Sequence, residues 1–304
     1  MKAVRFHEYG GPEVLHYEDA PEPVLGRDAV LIEADATSVN PHDWKSRSGI
    51  LQAVFPLEFP HTPGFDVSGI VRAFGEDVRG FRIGERVLAM AEHTYAELVA
   101  VPAATVARLP EGLDPVDAAA LPTVALTGDQ LVRDVCRVTA GQTVLVTGAL
   151  GSVGRVAIYV ANTLGARVIA GVRGRQLGDA ASLQVDGAVA IDDPEAIARI
   201  GKIDAVADMI GRELAPSLLA QIRPGGHYGY ASRIAEDLAE RFPDVSVARV
   251  HAMPTADTLH RIAQDVRDGR FSLPVSARMH LSEAGTAQER MAAGGGQKIV
   301  LTMR

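Results

Sequence analysis

Cysteine is almost absent from this sequence, in which Cys136 is the only one among 304 residues. A single cysteine excludes an intrachain disulfide and any cluster of thiolates that would hold a metal ion. The sequence also lacks an apolar run of 18 residues, which a membrane-spanning helix would need. Residues 1–6 (MKAVRF) read as the start of a strand and not as a signal peptide. A cytoplasmic protein with no membrane partner is therefore expected.

Positive charge is in short supply as well. The 30 lysines and arginines are outnumbered by 38 aspartates and glutamates, which gives a formal net charge of −8. An extended surface for nucleic acid requires an excess of basic residues, so no nucleic-acid partner is expected. The length and the 47% hydrophobic content suit one large or two medium globular domains. The expected partner is a small-molecule substrate.

The most informative segment is a glycine turn between a strand and a helix. Residues 143–146 form a β-branched, apolar strand, and residues 155–164 read as an amphipathic helix. Glycine turns are common, but this setting lets backbone N–H groups and the amino end of a helix approach a diphosphate. We therefore predict that this turn binds a dinucleotide. Its residues are Gly148, Ala149, Leu150, Gly151, Ser152, Val153 and Gly154.

The loop after the second predicted strand, residues 167–170, indicates which dinucleotide is bound. Sites that prefer NAD usually place an Asp or Glu here to accept from the ribose 2′-hydroxyl group. No carboxylate occurs between Arg167 and Gly178, whereas Arg173 and Arg175 do. A guanidinium group binds phosphate oxygens through paired donors, so these arginines favour the 2′-phosphate of NADPH. The alternative is that both are solvated loop charges.

The sequence pattern divides the chain into two kinds of region. Residues 1 to about 110 consist of short β-patterned pieces broken by Gly and Pro, which predicts a β-rich, barrel-like domain. From about Pro115 helices alternate with strands, which predicts a doubly wound parallel sheet. The predicted strands are 143–146, 167–170, 188–191, 205–209, 226–230 and 245–250. The predicted helices are 117–120, 128–137, 155–164, 178–184, 194–199 and 214–221.

The end of the chain returns to short strands, such as residues 298–301, and is expected to complete the first domain. The predicted domains are therefore 1–114 with 255–304, and 115–254. Residues 294–296 (GGG) predict a turn or flexible loop, because no strand leads into them. In a doubly wound sheet the ligand crevice lies at the carboxyl ends of the strands. This places Gly229, Tyr230 and Ala231, after the fifth strand, among the predicted cofactor-binding residues.

Several motifs together resemble one protein family. They are residues 38–45 (SVNPHDWK), 63–71 (PGFDVSGIV), the glycine turn, 225–229 (GGHYG) and 296–301 (GQKIVL). The chain resembles the medium-chain dehydrogenase/reductase superfamily, in its zinc-free quinone oxidoreductase, ζ-crystallin-like branch. The resemblance implies an α/β fold with a GroES-like β-rich domain and a Rossmann domain, and a homodimer. It also implies that Thr127 lies near the nicotinamide.

The resemblance bears on metal binding too. Zinc-bearing relatives have a cysteine where Asn40 stands and Gly-His-Glu where residues 64–66 read Gly-Phe-Asp. The resemblance therefore implies no metal. Catalytic zinc takes three nitrogen, sulfur or carboxylate ligands. A mixed site is an alternative, built from His42, Asp43, His61 and Asp66. The favoured interpretation is that the two aspartates bond local backbone and that His61 is an ordinary loop histidine.

Without a metal, alcohol oxidation is poorly supported, whereas hydride transfer to a quinone or a conjugated C=C–C=O needs only positioning and donors to the oxygen. Asn40 and Lys45 are the predicted polar groups of that site. Resemblance to plant alkenal and enone reductases implies that Lys45 contacts the cofactor ribose or phosphates; the alternative is a surface lysine. We predict an NADPH-dependent reductase of quinones or α,β-unsaturated carbonyls. The alternative is a non-catalytic NADPH-binding redox sensor or structural protein.

Overall fold

A computed structural model describes residues 1–294 and 298–304. Gly295, Gly296 and Gln297, which belong to the predicted glycine loop and to the last family motif, lie outside the described residues. The chain divides into two compact units, Met1–Thr123 with Pro254–Arg304, and Val124–Met253. Among the described helices none has the length and apolar character needed to cross a membrane.

The described strands are β1 Lys2–Arg5, β2 His16–Asp19, β3 Ala29–Ser38, β4 Asp66–Phe74, β5 Arg86–Met90, β6 Leu98–Pro102, β7 Ala107–Arg108, β8 Thr143–Thr147, β9 Arg167–Val172, β10 Gly187–Ala190, β11 Ile203–Asp208, β12 Ile222–Tyr230, β13 Ser246–Arg249, β14 Val275–His280 and β15 Lys298–Thr302. The described α-helices are α1 Pro41–Arg47, α2 Pro115–Ala118, α3 Pro122–Gln130, α4 Ser152–Thr163, α5 Pro194–Ala198, α6 Ala215–Leu219, α7 Leu238–Arg241, α8 Ala256–Arg267 and α9 Ala284–Ala292.

The first unit is built on a largely antiparallel sheet with the order β14-β15-β3-β4-β5-β7, and β6 also pairs with β3. Strand β15, from the end of the chain, pairs with β3 antiparallel, so the tail completes this sheet. Alternating side chains of β3 and β4, such as Val30, Ile32, Val67 and Val71, enter one apolar core. Helix α2 contacts β3, β4 and β15 and so packs within this unit.

The second unit contains a parallel sheet with the order β10-β9-β8-β11-β12-β13. The predicted doubly wound sheet is confirmed, and each predicted strand overlaps an observed one. The order runs outward from β8 through β9 and β10 on one side and from β11 through β12 and β13 on the other. The reversal between β8 and β11 is the position at which such sheets bind ligands, at the carboxyl ends of the strands.

Three predicted helices differ clearly from the observed ones. The predicted helix 128–137 begins earlier, as α3 at Pro122, and continues after Gln130 as a π-helical segment, Leu131–Val135. Helix α4 begins at Ser152, three residues earlier than predicted, because Gly151 already has the extended backbone of an N-cap (φ −76°, ψ 165°). The predicted helix 178–184 is only a short 3₁₀ segment, Asp179–Ser182. The earlier start of α4 matters for the site, because Ser152, Val153 and Gly154 then form its first turn.

Candidate active site

The glycine turn follows β8 directly. Gly148 has φ of 59°, a left-handed conformation that favours glycine, and its carbonyl oxygen accepts from the Gly151 N–H at 2.9 Å. A Cβ atom on Gly154 would collide with the Gly148 carbonyl oxygen and stand 2.9 Å from Ala149 Cα. A Cβ atom on Gly151 would meet the same oxygen at 3.2 Å. Gly148 and Gly154 are thus required by the turn itself. An added Cβ atom on Gly151 would have no second neighbour within 4 Å, so the space beside Gly151 is open to a ligand.

Helix α4 presents its amino end at this turn. An α-helix leaves the first N–H groups without partners inside the helix, and its dipole makes that end partially positive. Here those N–H groups belong to the first turn, Ser152, Val153 and Gly154. The guanidinium Nε of Arg155 donates to the Leu150 carbonyl oxygen at 3.1 Å and holds the turn against the helix. The turn therefore has the geometry and charge that bind a diphosphate, and the missing side chain at Gly151 supplies the space.

Asp208, at the end of β11, organises the neighbouring part of the sheet edge. Its carboxylate accepts from the backbone N–H groups of Ile210 and Gly211 at 2.8 and 3.0 Å, and from the hydroxyl groups of Thr147 and Tyr228. Burial raises the pKa of Tyr228 well above its usual value, and the Asp208 carboxylate acts in the same direction. The sequence analysis assigned Asp208 no role. An acidic residue at the carboxyl end of a predicted strand was the available indication.

The loop after β9 carries the predicted arginines. Both arginines are exposed; Arg173 precedes a 3₁₀ turn, Gly174–Gln176, and Arg175 lies within it. The structure brings a carboxylate to this loop from elsewhere in the chain, since Asp192 accepts from the Gly174 N–H at 2.7 Å. Nothing in the sequence indicated Asp192 at this loop, because Asp192 lies after β10, 18 residues beyond Gly174. A carboxylate here weakens the attraction for a 2′-phosphate, so both charges must enter any account of cofactor choice.

The other predicted cofactor residues are spread over two elements. Gly229 is buried in β12, where a Cβ atom would stand 2.7 Å from Leu131 Cδ1 and from Cys136 Sγ, so packing alone requires a glycine. Tyr230 ends the strand half-buried, and the Ala231 N–H donates to the Asp208 carbonyl oxygen at 2.9 Å. Thr127 lies half-buried on α3. Their roles toward a cofactor stay predictions.

In the first unit, Asn40 belongs to a buried polar cluster that also contains Ser38, Asp66 and Lys298. The Asn40 amide donates to Asp66 at 2.7 Å and accepts from Lys298 Nζ at 2.8 Å. Lys298 Nζ lies 3.3 Å from the Asp66 carboxylate, and both side chains are at most 2% exposed. The Ser38 hydroxyl donates to the same carboxylate. Asn40 is itself only 3% exposed, so the cluster fixes the orientation of its amide.

The same Asp66 carboxylate accepts from the Thr123 N–H at 2.6 Å, in the first turn of α3. A carboxylate at the amino end of a helix satisfies an N–H group that has no partner inside the helix and is favoured by the helix dipole. The cluster therefore joins the Asn40 loop to the start of α3. Lys298 is the member that sequence reasoning missed, although it lies in a motif that carried the family resemblance. Charged lysines are so seldom buried that sequence alone gives no reason to expect it.

Asp43 forms a second buried group with Tyr95. Its Oδ2 atom accepts from the Asn40 N–H at 2.7 Å and from the Tyr95 hydroxyl at 3.1 Å, while its Oδ1 atom has no hydrogen-bond partner. Burial raises the pKa of Asp43 from 3.8 to about 7, and the nearby Asp66 carboxylate acts in the same direction. The bond from the Asn40 N–H is the local backbone bond expected of Asp43, whereas Asp66, of which the same was expected, bonds the distant Thr123 N–H and three side chains. Lys45 is half-buried on the same helix, with Nζ 5.6 Å from the Trp44 ring centre.

A cavity of about 480 Å³ lies beside α1. Its lining includes Val54, Phe55, Leu57, Phe65, His42 and His61. Burial lowers the pKa of His61 from 6.5 to about 4, and the neighbouring His93 and His42 rings act in the same direction. This imidazole is therefore neutral at neutral pH. The cavity has the size and the mostly apolar wall of a small-molecule site.

Comparison with known proteins relates this geometry to a family. Residues 26–111 match the alcohol dehydrogenase GroES-like domain family. The human quinone oxidoreductase is 35% identical over 226 residues, which span 73% of this chain and 67% of the human one. The chain belongs to the medium-chain dehydrogenase/reductase superfamily, in its quinone oxidoreductase branch.

Two solved structures are similar to this chain over nearly its whole length. The quinone oxidoreductase from Coxiella burnetii has a TM-score of 0.91 and 28% identity, and the match covers 100% of this chain and 99% of that one. A mycobacterial protein solved in complex with NADPH has a TM-score of 0.86 and 26% identity, with 99% and 100% covered. The fold is thus the predicted GroES-like domain plus a Rossmann domain. As a relative of the quinone oxidoreductases, the protein described here is an oxidoreductase.

Two of the four side chains considered for a mixed zinc site accept hydrogen bonds within the protein. Asp66 accepts four hydrogen bonds, and Asp43 accepts two at one oxygen. Within residues 1–294 and 298–304, no group of three or more His, Cys, Asp or Glu residues is arranged to hold a metal ion. The Asp66 carboxylate is therefore committed to hydrogen bonds, and the absence of zinc stays a prediction.

Proposed function

We propose that this oxidoreductase reduces quinones or α,β-unsaturated carbonyl compounds with NADPH, without a metal. The observation that carries the proposal is the glycine turn after β8, where the strand order of the parallel sheet reverses. Gly151 at this turn has no side chain and precedes the amino end of α4. Similarity to the quinone oxidoreductases and to a mycobacterial protein that binds NADPH supports the same assignment. When bound, the dinucleotide supplies hydride from C4 of its nicotinamide.

The chain's own residues do the binding and orienting in this proposal. The N–H groups of Ser152, Val153 and Gly154 bind the diphosphate. Arg173 and Arg175 bind the 2′-phosphate, and Asp192 limits the preference for NADPH over NADH by its negative charge.

The cluster around Asp66 supports a positioning role for Asn40 at the substrate side. One amide hydrogen of Asn40 donates to Asp66 and its oxygen accepts from Lys298, so the amide is held in one orientation. In the proposed site its second amide hydrogen donates to the carbonyl oxygen of the substrate. Because Asp66 is bonded by Ser38, Asn40, Lys298 and the Thr123 N–H, it is unsuited to bind zinc. The reaction proposed therefore rests on placement and hydrogen bonding.

The test is direct. Purified protein is mixed with NADPH or NADH and a panel of quinones and enones, and the loss of absorbance at 340 nm is followed. We expect NADPH oxidation with at least one class and a lower KM for NADPH than for NADH. Tight NADPH binding without turnover would support the alternative of a redox sensor. A homodimer and a cytoplasmic location stay predictions, the first of which light scattering after gel filtration checks.

A further inference from the structure

Three arginines lie at one edge of the parallel sheet in the second unit. Arg212 follows β11, Arg233 follows β12, and Arg249 is the last residue of β13. These strands are parallel neighbours, so their carboxyl ends meet at the same edge, and Arg249 is paired in register with Tyr230 at the end of β12. All three arginines are exposed. Positive charge from three parts of the chain therefore collects at the edge where such sheets bind ligands.

The backbone holds Arg212 and Arg233 side by side. The Arg212 N–H donates to the Arg233 carbonyl oxygen at 2.8 Å. Gly211 packs against the same peptide group, since an added Cβ atom would collide with that oxygen. Both loops are also tied to Asp208, whose carboxylate accepts from the Gly211 N–H at 3.0 Å and whose carbonyl oxygen accepts from the Ala231 N–H at 2.9 Å. The spacing of the two backbone positions is therefore fixed by the fold.

The backbone of Arg212 is strained. Its φ of 57° is a left-handed conformation that few residues other than glycine adopt. Such a conformation costs free energy and persists only where the surrounding structure imposes it, which is most often at a ligand-binding or catalytic site. The strain supports a binding role for this loop.

The three guanidinium groups have no counter-ion within the protein. Among the described residues, no carboxylate pairs with any of them, although Arg223 at the amino end of β12 pairs with Asp204 at 2.7 Å. The acidic residues of the same loops are exposed and lie beyond ion-pair distance from the three arginines; they are Glu213, Glu236 and Asp237. In a chain with a formal net charge of −8, this edge is therefore a local positive region that is available to an anion.

The topology of the sheet indicates which ligand carries that anion. In sheet order, β8 with its glycine turn lies between β9 and β11. A dinucleotide lies across the reversal of such a sheet, with one mononucleotide on each side. With the 2′-phosphate at the β9 loop and the diphosphate at the turn, the nicotinamide half lies on the side of β11 to β13. The cofactor has no further phosphate for that side, so the anion there belongs to the second substrate.

We propose that Arg212, Arg233 and Arg249 bind a phosphate group carried by the substrate, so that the enzyme reduces phosphate-bearing α,β-unsaturated carbonyl compounds; this rests on the proposed function. A guanidinium group binds phosphate oxygens through paired donors, and three of them match a multiply charged group. The phosphate anchors the substrate and does not react. Hydride from NADPH adds to the β-carbon, the C=C electron pair moves to the carbonyl oxygen, and the α-carbon takes a proton from water as the carbonyl re-forms.

The experiment compares two thioesters that share the same reacting group, at saturating NADPH. Crotonyl-coenzyme A carries phosphate groups, whereas the N-acetylcysteamine thioester of crotonate is uncharged. We expect wild type to have a kcat/KM about 10-fold or more higher for crotonyl-coenzyme A, as for the gain of one charge-assisted hydrogen bond. Arg212→Gln, Arg233→Gln and Arg249→Gln should each raise the KM for crotonyl-coenzyme A by about 10-fold. The kcat, the KM for the uncharged thioester and the Kd for NADPH should not change.

A binding measurement gives a readout that needs no turnover. Coenzyme A is titrated by calorimetry into protein saturated with NADP⁺, which occupies the glycine turn. Wild type should bind coenzyme A, and the affinity should fall with added salt because the exposed charges are screened. Each of the three arginine variants should bind it more weakly.

Arg167→Gln is the matched control, since Arg167 is exposed and begins β9 at the opposite, amino end of the sheet. It removes the same charge and should leave every one of these constants unchanged. Equal kcat/KM for the two thioesters in wild type would overturn the phosphate site and leave the proposed function standing. Variants that raise the Kd for NADPH but not that for coenzyme A would also overturn it, because the arginines would then bind the cofactor. If wild type oxidises NADPH with no quinone, enone or thioester, the proposed function itself fails and the substrate site with it.

Discussion

Replacement of Asp43 by Asn tests whether burial has raised the pKa of this carboxyl group. The folded protein holds Asp43 with a pKa of about 7, against 3.8 for the free group. Between these values the native state binds the proton more tightly than the unfolded state, so the stability that wild type derives from this proton falls as pH rises. Asp43→Asn stays neutral at every pH and keeps an oxygen that accepts from the Asn40 N–H and the Tyr95 hydroxyl.

The magnitude follows from the size of the shift. A rise of about three pKa units corresponds to a ceiling of about 4 kcal/mol, at ~1.36 kcal/mol per unit. The free energy of unfolding of Asp43→Asn minus that of wild type should therefore increase by up to that amount from pH 4 to pH 8. Most of the increase should come below pH 7, and the difference should be constant above it.

Urea unfolding at pH 4, 5, 6, 7 and 8, followed by tryptophan fluorescence, measures this difference. Trp44 is the only tryptophan and adjoins Asp43, so its emission reports on the unit concerned. Asp28→Asn, at an exposed position of the same unit, is the matched control and should show a much smaller pH dependence. Stability curves of wild type and Asp43→Asn that run parallel over this range would refute the reasoning, because they would mean that Asp43 ionises as it does in water.

Four further predictions concern the cofactor turn, the buried cluster and metal. Arg173→Ala should raise the Kd for NADPH far more than that for NADH, and Asp192→Asn should lower the Kd for NADPH, both measured by fluorescence titration. Gly151→Val should abolish cofactor binding with little loss of stability, whereas Gly154→Ala should destabilise the fold through its clash with the Gly148 carbonyl oxygen. Lys298→Met should cost about 3 kcal/mol in unfolding free energy by leaving a buried carboxylate without its counter-ion. Dialysis against EDTA should leave activity unchanged, and elemental analysis should find no stoichiometric zinc.

Each of these has an outcome that contradicts it. Equal losses of NADPH and NADH affinity in Arg173→Ala would exclude a 2′-phosphate contact, and unchanged affinity in Gly151→Val would mean that another turn binds the cofactor. Lys2→Met removes a surface ion pair with Asp19 in the same unit and should change stability little. A similar loss of unfolding free energy in the Lys2 and Lys298 variants would mean that breaking the buried ion pair costs no more than breaking a surface ion pair. Inactivation by EDTA would overturn the metal-free mechanism.

The amino-acid pattern was sufficient for the features that depend on neighbouring residues. Strand β8, the glycines at 148, 151 and 154 and helix α4 follow one another directly, so their spacing already specifies the turn. The alternation of helices and strands after Pro115 likewise predicted the parallel sheet, because short right-handed connections allow few other arrangements.

What tertiary structure decided is which distant residues share a site. Lys298 reaches Asn40 and Asp66 only because β15 pairs with β3, more than 250 residues away along the chain. Asp192 reaches the Arg173 loop only because β10 lies beside β9. The raised pKa of Asp43 depends on burial in the folded unit. Periodicity records which face of an element is apolar, but not which charged groups long-range strand pairing brings together out of water.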